Sequence, residues 1–378
     1  MLLALLAGLE TLAGARVVAR MLRTAHGAPL AREANAGDDV LTVVVPVLNE
    51  ERRVGACLDA LAACGPHVAA IAVVDGGSTD RTREIVATAA ARDGRVRFVA
   101  APTAPPGWNN KAWNIAVGVA DARTPWIGTV DADVRVGPCV LATAVARAER
   151  DGLDALSVAT KQRLPDAASA LLHPALLTTL VYRNGLPNAI AREPSRVLAN
   201  GQVFVARRGA LQRTGAIDEA RASRCEDVTI ARVLAARGGR VGFFEGDAVV
   251  CMHASWHDCA ASWPRSLTLR DAFVSNARLA RELAEVILAQ ALPLPTLLAL
   301  VLLRRRARWA RASIACAAAL VVTRAGVLAG TRRAYVAPSP LYWLSPLADV
   351  AAAALLVVSA LRRTHRWRGR TLVAERPA

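Results

Sequence analysis

The chain has 378 residues, 54% of them hydrophobic, with a mean hydropathy of +0.30 and a formal net charge of +16. That length holds one large domain with accessory segments, and that hydropathy is high for a purely soluble protein. The basic residues argue against nucleic acid as the partner, because they lie in runs beside apolar stretches and not in aromatic-interleaved RNA-binding patterns. The runs are Arg304, Arg305, Arg306, Arg308 and Arg311, then Arg332 and Arg333, then Arg362 to Arg370. Of the 47 basic residues only Lys111 and Lys161 are lysines. Seven cysteines are odd in number and show no disulfide framework, so they read as reduced, mostly buried thiols on the cytosolic side.

In chain order, residues 2 to 22 are largely apolar, broken by Glu10 and Arg16. No basic stretch precedes them, so they predict a retained membrane or interfacial helix and not a cleaved signal peptide, with Arg16, Arg20 and Arg23 on its inner flank. Strands are predicted at Leu41 to Val47, Ala69 to Val74, Val96 to Ala100 and Trp126 to Val130. Helices are predicted at Glu50 to Ala63, Thr79 to Ala91 and Asn110 to Ala120. Apolar strands alternating with helices predict a mostly parallel sheet covered on both faces. Further on, Ala155 to Thr160 and Gln202 to Ala206 read as strands, and Ala167 to Val181 as an apolar helix. Val228 to Arg237 reads as a helix, followed by short strands at Val241 to Phe244 and Ala248 to Met252. Three near-spanning stretches close the chain: Val286 to Leu303, Ala312 to Ala329 and Leu344 to Leu361. Each carries a flaw: Pro293 and Pro295, Arg324, and Asp349. Polar groups in such helices are expected to face a bundle interior, and the proline-bearing stretch is a candidate for a re-entrant or interfacial segment.

Four clusters fall at predicted strand ends, where a ligand crevice forms in open α/β sheets. They are Pro46-Val47-Leu48-Asn49-Glu50-Glu51, Val73-Val74-Asp75-Gly76-Gly77-Ser78-Thr79-Asp80, Gly107-Trp108-Asn109-Asn110-Lys111-Ala112-Trp113-Asn114, and Asp131-Ala132-Asp133. The paired carboxylates of the last are hard oxygen ligands suited to Mg²⁺ or Mn²⁺ carrying a diphosphate, and period-two alternation would point them the same way. The glycines after Asp75 permit a tight turn, and Ser78 or Thr79 can cap the next helix. Lys111, opening a helix, can offset charge on a leaving diphosphate. Cys251, His253, His257 and Cys259 are four metal-type side chains too closely spaced for the usual paired zinc sites, and read as a strand end and loop.

These clusters, taken in order, resemble glycosyltransferase family 2, the inverting enzymes with a GT-A nucleotide-diphospho-sugar fold. The Gly107-Trp108…Lys111 cluster with membrane segments at both ends is most similar to the hopanoid-, carotenoid- and ceramide-type lipid glycosyltransferases. Asp349 and the Trp367-Arg368-Gly369-Arg370 stretch also match that subgroup. The resemblance implies an α/β GT-A catalytic domain over 38–265, an N-terminal membrane or interfacial helix over 1–25, and a helical region with a basic tail over 266–378. It implies a cell-membrane, multi-pass protein with its catalytic domain on the cytoplasmic side. By position, Asp133 would hold the divalent cation, and Asp131 would bind ribose or share the metal. Asp75 would contact the nucleoside, with Pro46, Asn49 and Glu50 lining that pocket. Lys111 would lie near the diphosphate. Asp227, beside Glu226, would be the catalytic base at a helix start, where the helix dipole favours its ionised form. Trp108, Trp263 and Arg265 would stand on the acceptor or diphosphate side.

Gly76 departs from the pattern, since many relatives carry a second Asp there. The Gln-x-x-Arg-Trp motif of processive polysaccharide synthases is absent, which argues for a single sugar transfer. The expected activity is transfer from a nucleotide-diphospho-sugar to a membrane lipid acceptor. The alternatives are a polyprenyl-phosphate or polysaccharide glycosyltransferase of the same fold, a nucleotidyltransferase, and a non-enzymatic membrane protein with a degenerate nucleotide-binding domain.

Overall fold

The structure is a computed structural model, and it describes residues 2–31, 37–191, 193–251, 263–264, 266–302, 309–362, 364–367 and 370–373. The chain forms two compact units. One comprises Met1–His26, Arg163–Leu186 and His253–Arg363; the other comprises Gly27–Gln162, Pro187–Met252 and Thr364–Ala378.

The second unit is built on a sheet that is nine-stranded among the described residues. Its first half is β1 (Leu41–Val47), α2 (Val54–Ala62), β2 (Val68–Asp75), α3 (Thr82–Arg92), β3 (Val96–Ala100), α4 (Asn110–Asp121) and β4 (Trp126–Val130), α1 being Leu2–Thr24 of the other unit. β1, β2, β3 and β4 run parallel in the order β3-β2-β1-β4. They are parallel because each strand-to-strand crossover carries a helix or a long loop, and both faces of such a sheet are buried. Hence the continuous apolar runs: in β1 every residue but Pro46 is buried. Pro46 is tolerated in a central strand because pairing with β4 has stopped at Val44.

The remaining elements are β5 (Val134–Arg135), α5 (Val140–Arg150), β6 (Ala155–Arg163), α6 (Ala167–Asn184), β7 (Ala189–Ala191), β8 (Val203–Arg207), α7 (Arg208–Thr214), α8 (Ala216–Glu219), α9 (Glu226–Ala236) and β9 (Val241–Cys251). β8 runs antiparallel between β4 and β6, which turns the sheet from parallel to mixed. β9 is one long strand where two short ones are expected from the sequence; it pairs with β5 and β7. The core on one face packs Leu41, Val43, Ile71, Leu141 and Phe244 around Trp126, whose indole N–H donates to Glu149 Oε1 at 3.1 Å. β1, β2 and β4 all end at the same edge of the sheet, and strand order reverses across β1 and β4. The loops that follow them therefore meet at one crevice.

The other unit collects α1, α6 and the C-terminal helices: α10 (Asn276–Val286), a π-helical turn (Ile287–Ala291), α11 (Pro293–Leu302), α12 (Ala310–Thr331), a 3-10 stretch (Pro340–Ala348) and α13 (Asp349–Leu361). Four helical stretches are long and apolar enough to cross a membrane among the described residues: Leu2–Thr24, Asn276–Leu302, Ala310–Ala334 and Pro340–Leu361. Pro293 and Pro295 do not end the first C-terminal stretch. The π turn absorbs the missing N–H groups, with Leu292 N donating to Ile287 O at 2.9 Å.

The other two flaws pair with each other. Arg324 grips Asp349 through two N–H groups, Nε to Oδ2 at 2.9 Å and Nη2 to Oδ1 at 3.0 Å. Gln290 Nε2 donates to the same carboxylate at 2.8 Å, and Arg324 Nη2 also reaches Ser345 Oγ. Further pairs join the helix ends. Arg183 donates to Glu282 and to the carbonyls of Leu267 and Thr268, and Arg20 donates to Glu285. Each of these ions is matched inside the unit, which offsets the cost of burying it.

Breaking such a pair strands a buried charge, at a cost of about 3–5 kcal/mol. Asp349→Ala is expected to lower the thermal midpoint of the detergent-solubilised protein sharply. The double change Arg324→Leu with Asp349→Leu should recover most of the loss. A midpoint unmoved by Asp349→Ala would show that the pair carries no stability.

Candidate active site

The loops after β1 and β2 are stitched together. Asn49, with φ +55°, receives Thr79 N on Oδ1 at 2.8 Å, while its own N–H donates to Ser78 Oγ at 2.8 Å. Glu50 N donates to Thr82 Oγ1 at 2.8 Å, and Glu51 N to Asp80 Oδ2 at 3.0 Å. Asp75, at the end of β2, accepts Ser78 N at 3.0 Å and Ser78 Oγ at 2.5 Å. The Asn-Glu-Glu and Ser-Thr-Asp stretches are thus coupled, each supplying hydrogen-bonding partners for the other's exposed backbone. The Asn49 side chain is engaged with Thr79. Pro46 and Glu50 sit at the base of the same crevice, Glu50 buried and within 3.5 Å of Arg53.

α4 starts on a side-chain cap. Asn109 Oδ1 accepts Ala112 N at 2.7 Å, and Asn109 Nδ2 donates to Ser223 O at 2.6 Å. The cap ties the helix start to the loop leading into α9, since Asn109 N also donates to Arg221 O. In the first turn, Lys111 Nζ lies 2.8 Å from Asp131 Oδ1 and 2.9 Å from Glu226 Oε1. Trp108 stacks edge-on against Trp113, ring centroids 5.2 Å apart, and Trp113 Nε1 is anchored on Pro102 O.

Asp131-Ala132-Asp133 is a tight turn and not a strand extension, with Val134 N donating to Asp131 O at 3.0 Å. Strand alternation is therefore not what brings the two carboxylates together; the turn does. Among the described residues no group of three or more metal-type side chains is arranged to hold an ion. Two carboxylates with room for phosphate oxygens are nonetheless the donor set on which Mg²⁺ rides with a nucleotide, and hard oxygens fit it. Asp131 and Asp133 would supply those donors.

Asp227 stands in the first turn of α9 next to Glu226. Its Oδ2 accepts the backbone N–H of Gly201. A Cβ at Gly201 would lie 3.1 Å from Lys111 Nζ and 3.2 Å from Asp227 Oδ2, so a side chain there would crowd both charged groups. Gly201 was not picked out from the sequence. The Asn200-Gly201 pair before β8 is an ordinary turn signal, and only the fold brings it against Asp227. A small apolar pocket lined by Ile115, Ile127, Phe204 and Ile230 reaches Glu226 and Asp227.

Burial dominates the electrostatics. It pushes Asp131 up to about 7, against the opposing pull of Lys111 and with the help of Asp133. Burial likewise raises Asp227, and Glu226 beside it adds to the rise while Lys111 opposes it. Burial works against the Lys111 charge too, but Asp131, Glu226 and Asp227 outweigh it and hold the ammonium well above the usual lysine range.

Of the residues expected at the site, Pro46, Asn49, Glu50, Asp75, Trp108, Lys111, Asp131, Asp133, Glu226 and Asp227 all belong to the sheet unit. Trp263 belongs to the helical unit, its ring 3.7 Å from that of His173. Arg265 lies outside the described residues, as do His253, His257 and Cys259 and the side chain of Cys251.

A family model described as glycosyltransferase-like family 2 matches residues 38–312. A lipopolysaccharide core biosynthesis glycosyltransferase, LpsC of Rhizobium meliloti (strain 1021), is 31% identical over 96 residues, which are 25% of this chain and 32% of that one. The chain thus spans about a third of the length of that relative. A mannosyltransferase structure, PcManGT from Pyrobaculum calidifontis in complex with GDP-Man and Mn²⁺, aligns with a TM-score of 0.58 at 18% identity, over 96% of this chain and 98% of that one. The sheet unit accordingly has the GT-A-like fold.

The raised Asp131 has a stability signature. A carboxyl whose folded value is about 7, against an ordinary 3.8, holds more protons folded than unfolded between those values. Stability from this group is full below about pH 4 and is lost as pH rises towards 7. In EDTA, Asp131→Asn should flatten that fall in the thermal midpoint; a slope unchanged by the substitution would contradict the assignment.

Proposed function

Since the match over residues 38–312 shows that the chain belongs to glycosyltransferase-like family 2, we propose that it is an inverting glycosyltransferase that moves a single sugar from a nucleotide-diphospho-sugar to a membrane lipid acceptor. The observation that carries this reading is the Lys111 ammonium bridging Asp131 and Glu226 beside Asp227. It puts a fixed cation, a metal-type carboxylate and a candidate base within one crevice.

In this reading the nucleoside lies in the stitched loops after β1 and β2, with Asp75 towards the base. The diphosphate lies towards Lys111 and the Asp131 turn. A divalent cation, Mg²⁺ or Mn²⁺ held by Asp133 and Asp131, would supply positive charge for the leaving diphosphate; the PcManGT structure is described with Mn²⁺. Lys111 presents its ammonium to the same developing charge. Asp227 takes the proton from the acceptor hydroxyl, which attacks the anomeric carbon from the face opposite the leaving group. A raised value suits a base, because the proton accepted is then held more firmly. The Gly201 N–H orients the Asp227 carboxylate for that task.

A lipid acceptor is supported by the four helical stretches long and apolar enough to cross a membrane and by the likeness of the Gly107-Trp108…Lys111 cluster to lipid glycosyltransferases. The reading places the protein in the cell membrane as a multi-pass enzyme, with its catalytic domain on the cytoplasmic side, where nucleotide sugars are found. The missing Gln-x-x-Arg-Trp motif favours single transfer over polymer extension.

The test is a screen of radiolabelled nucleotide sugars with membranes containing the protein, read as lipid-extractable label. One donor should give label, and Asp227→Asn should reduce it by roughly 10²–10⁴-fold while leaving nucleoside diphosphate binding intact. An active Asp227→Asn enzyme would sink the base assignment. Release of pyrophosphate in place of nucleoside diphosphate would overturn the reaction class.

A further inference from the structure

The Asn200-Gly201-Gln202 turn leads into β8 between two carboxylates that the proposed reaction uses. Gln202 O accepts Asp131 N at 3.4 Å, and Gly201 N donates to Asp227 Oδ2. β8 runs opposite to both β4 and β6. The turn therefore lies at the sheet edge where β4 gives way to Asp131 and where β6 ends just beyond Thr160. That is the edge on which the crevice opens.

A chain of hydrogen bonds sets the direction of the Gln202 amide. The backbone N–H of Gln202 can only donate, and it donates to Asn200 Oδ1 at 3.0 Å. The other amide atom of Asn200 is thereby the nitrogen, and it donates to Gln202 at 2.6 Å. The Gln202 atom that it meets must be the oxygen. Thr160 Oγ1 donates to the same oxygen while accepting Gln162 Nε2 at 3.2 Å. Asn200 is held in turn by Ser157, whose Oγ accepts Asn200 N at 2.7 Å. With Oε1 bound twice, the N–H groups of Gln202 Nε2 point away from this network. No described residue accepts them, yet Gln202 is only half-buried and Nε2 is not an enclosed atom. A pair of oriented donors is thus left open to solvent at the crevice edge, between Asp131 and Asp227.

We infer that Gln202 is a specificity-determining residue for the donor sugar: its Nε2 donates to hydroxyl oxygens of the glycosyl unit, and Asn200 and Thr160 hold it in that orientation. The inference rests on the reading of this crevice as a nucleotide-sugar site. In that reading the diphosphate lies towards Lys111 and Asp131, and the attacked anomeric carbon lies before Asp227. The sugar spans from one to the other, alongside the turn that bonds to both. Phosphate oxygens are answered by cations, which Lys111 and a divalent metal supply. An uncharged N–H pair suits an uncharged hydroxyl. Donors fixed in direction match a hydroxyl in one configuration and leave its epimer unmatched.

The experiment uses the full chain in mixed micelles of detergent and membrane lipid, with Mn²⁺. Two epimer pairs serve as donors: UDP-glucose with UDP-galactose, and GDP-mannose with GDP-glucose. Nucleoside diphosphate release gives kcat/KM for each, and calorimetry gives the binding of UDP and GDP alone. Gln202→Met keeps the length of the side chain and removes both N–H groups. It should lower kcat/KM for the best donor about tenfold, shrink its preference over the epimer by a similar factor, and leave UDP or GDP binding within about twofold. Thr160→Val, which loosens the amide without removing it, should move the same preference in the same direction by less. It serves the comparison if Gln202→Met does not fold. Nucleoside diphosphate binding that weakens as much as kcat/KM would put Gln202 on the phosphates and overturn the inference. An equal fall for both epimers would mark Gln202 as merely structural and overturn it too, as would unchanged kinetics. A wild type that releases nucleoside diphosphate from none of the four donors overturns the nucleotide-sugar reading itself, and is recognised without any variant.

Discussion

The Lys111 ammonium, wedged between Asp131 and Glu226, is the contact on which the rest of the crevice depends. It joins three pieces of chain far apart in sequence: the first turn of α4, the turn after β4 and the first turn of α9. Carboxylates brought this close repel one another and resist burial. A single cation at their centre makes the cluster tolerable and fixes its geometry before any substrate arrives. The glycine at 201 keeps the chain from crowding Lys111 and Asp227, since a Cβ there would stand 3.1 Å and 3.2 Å from their charged ends. The Asn109 cap, reaching Ser223, holds α4 and the α9 approach loop in step. Preorganisation of this kind lets fixed charges act on a developing one without first rearranging.

The helical unit solves a related problem with different means. Arg324 and Asp349 each interrupt an apolar helix, and apart they would be ruinous in a membrane. Together, with Gln290 and Ser345, they form a closed polar cluster inside the unit. Arg20, Arg183 and Arg278 are similarly spent on Glu285 and Glu282. The acidic residues of α10 that look like surface charge in the sequence are buried partners.

How much of this is legible in the amino-acid sequence depends on range. Periodicity located β3 and β4 to the residue and most other elements within a few residues, since apolar runs and glycine or proline punctuation are local signals. The four clusters that define the site were legible for the same reason: each sits at a strand end. Pairings across the chain were not. Nothing local says that Asn49 meets Thr79, that Lys111 meets Glu226, or that Arg324 meets Asp349. Asp131-Ala132-Asp133 was found through an alternation argument that the structure replaces with a turn. Gly201 escaped notice because its importance lies wholly in what a side chain there would strike. The split of β9 into two strands failed because Glu245, Gly246 and Asp247 separate two apolar stretches, yet the strand runs unbroken from Val241 to Cys251 beside β6.

The central claim is that one lysine supplies the fixed positive charge at the centre of the site. Its most direct test is the rate of nucleoside diphosphate release from the active donor by folded Lys111→Met protein, measured against wild type. The account predicts a fall of roughly 10²–10³-fold, because the variant loses a charge aimed at the leaving group and leaves Asp131 and Glu226 facing each other. A rate within about twofold of wild type would contradict it, since a fixed charge on the leaving group is worth far more than that.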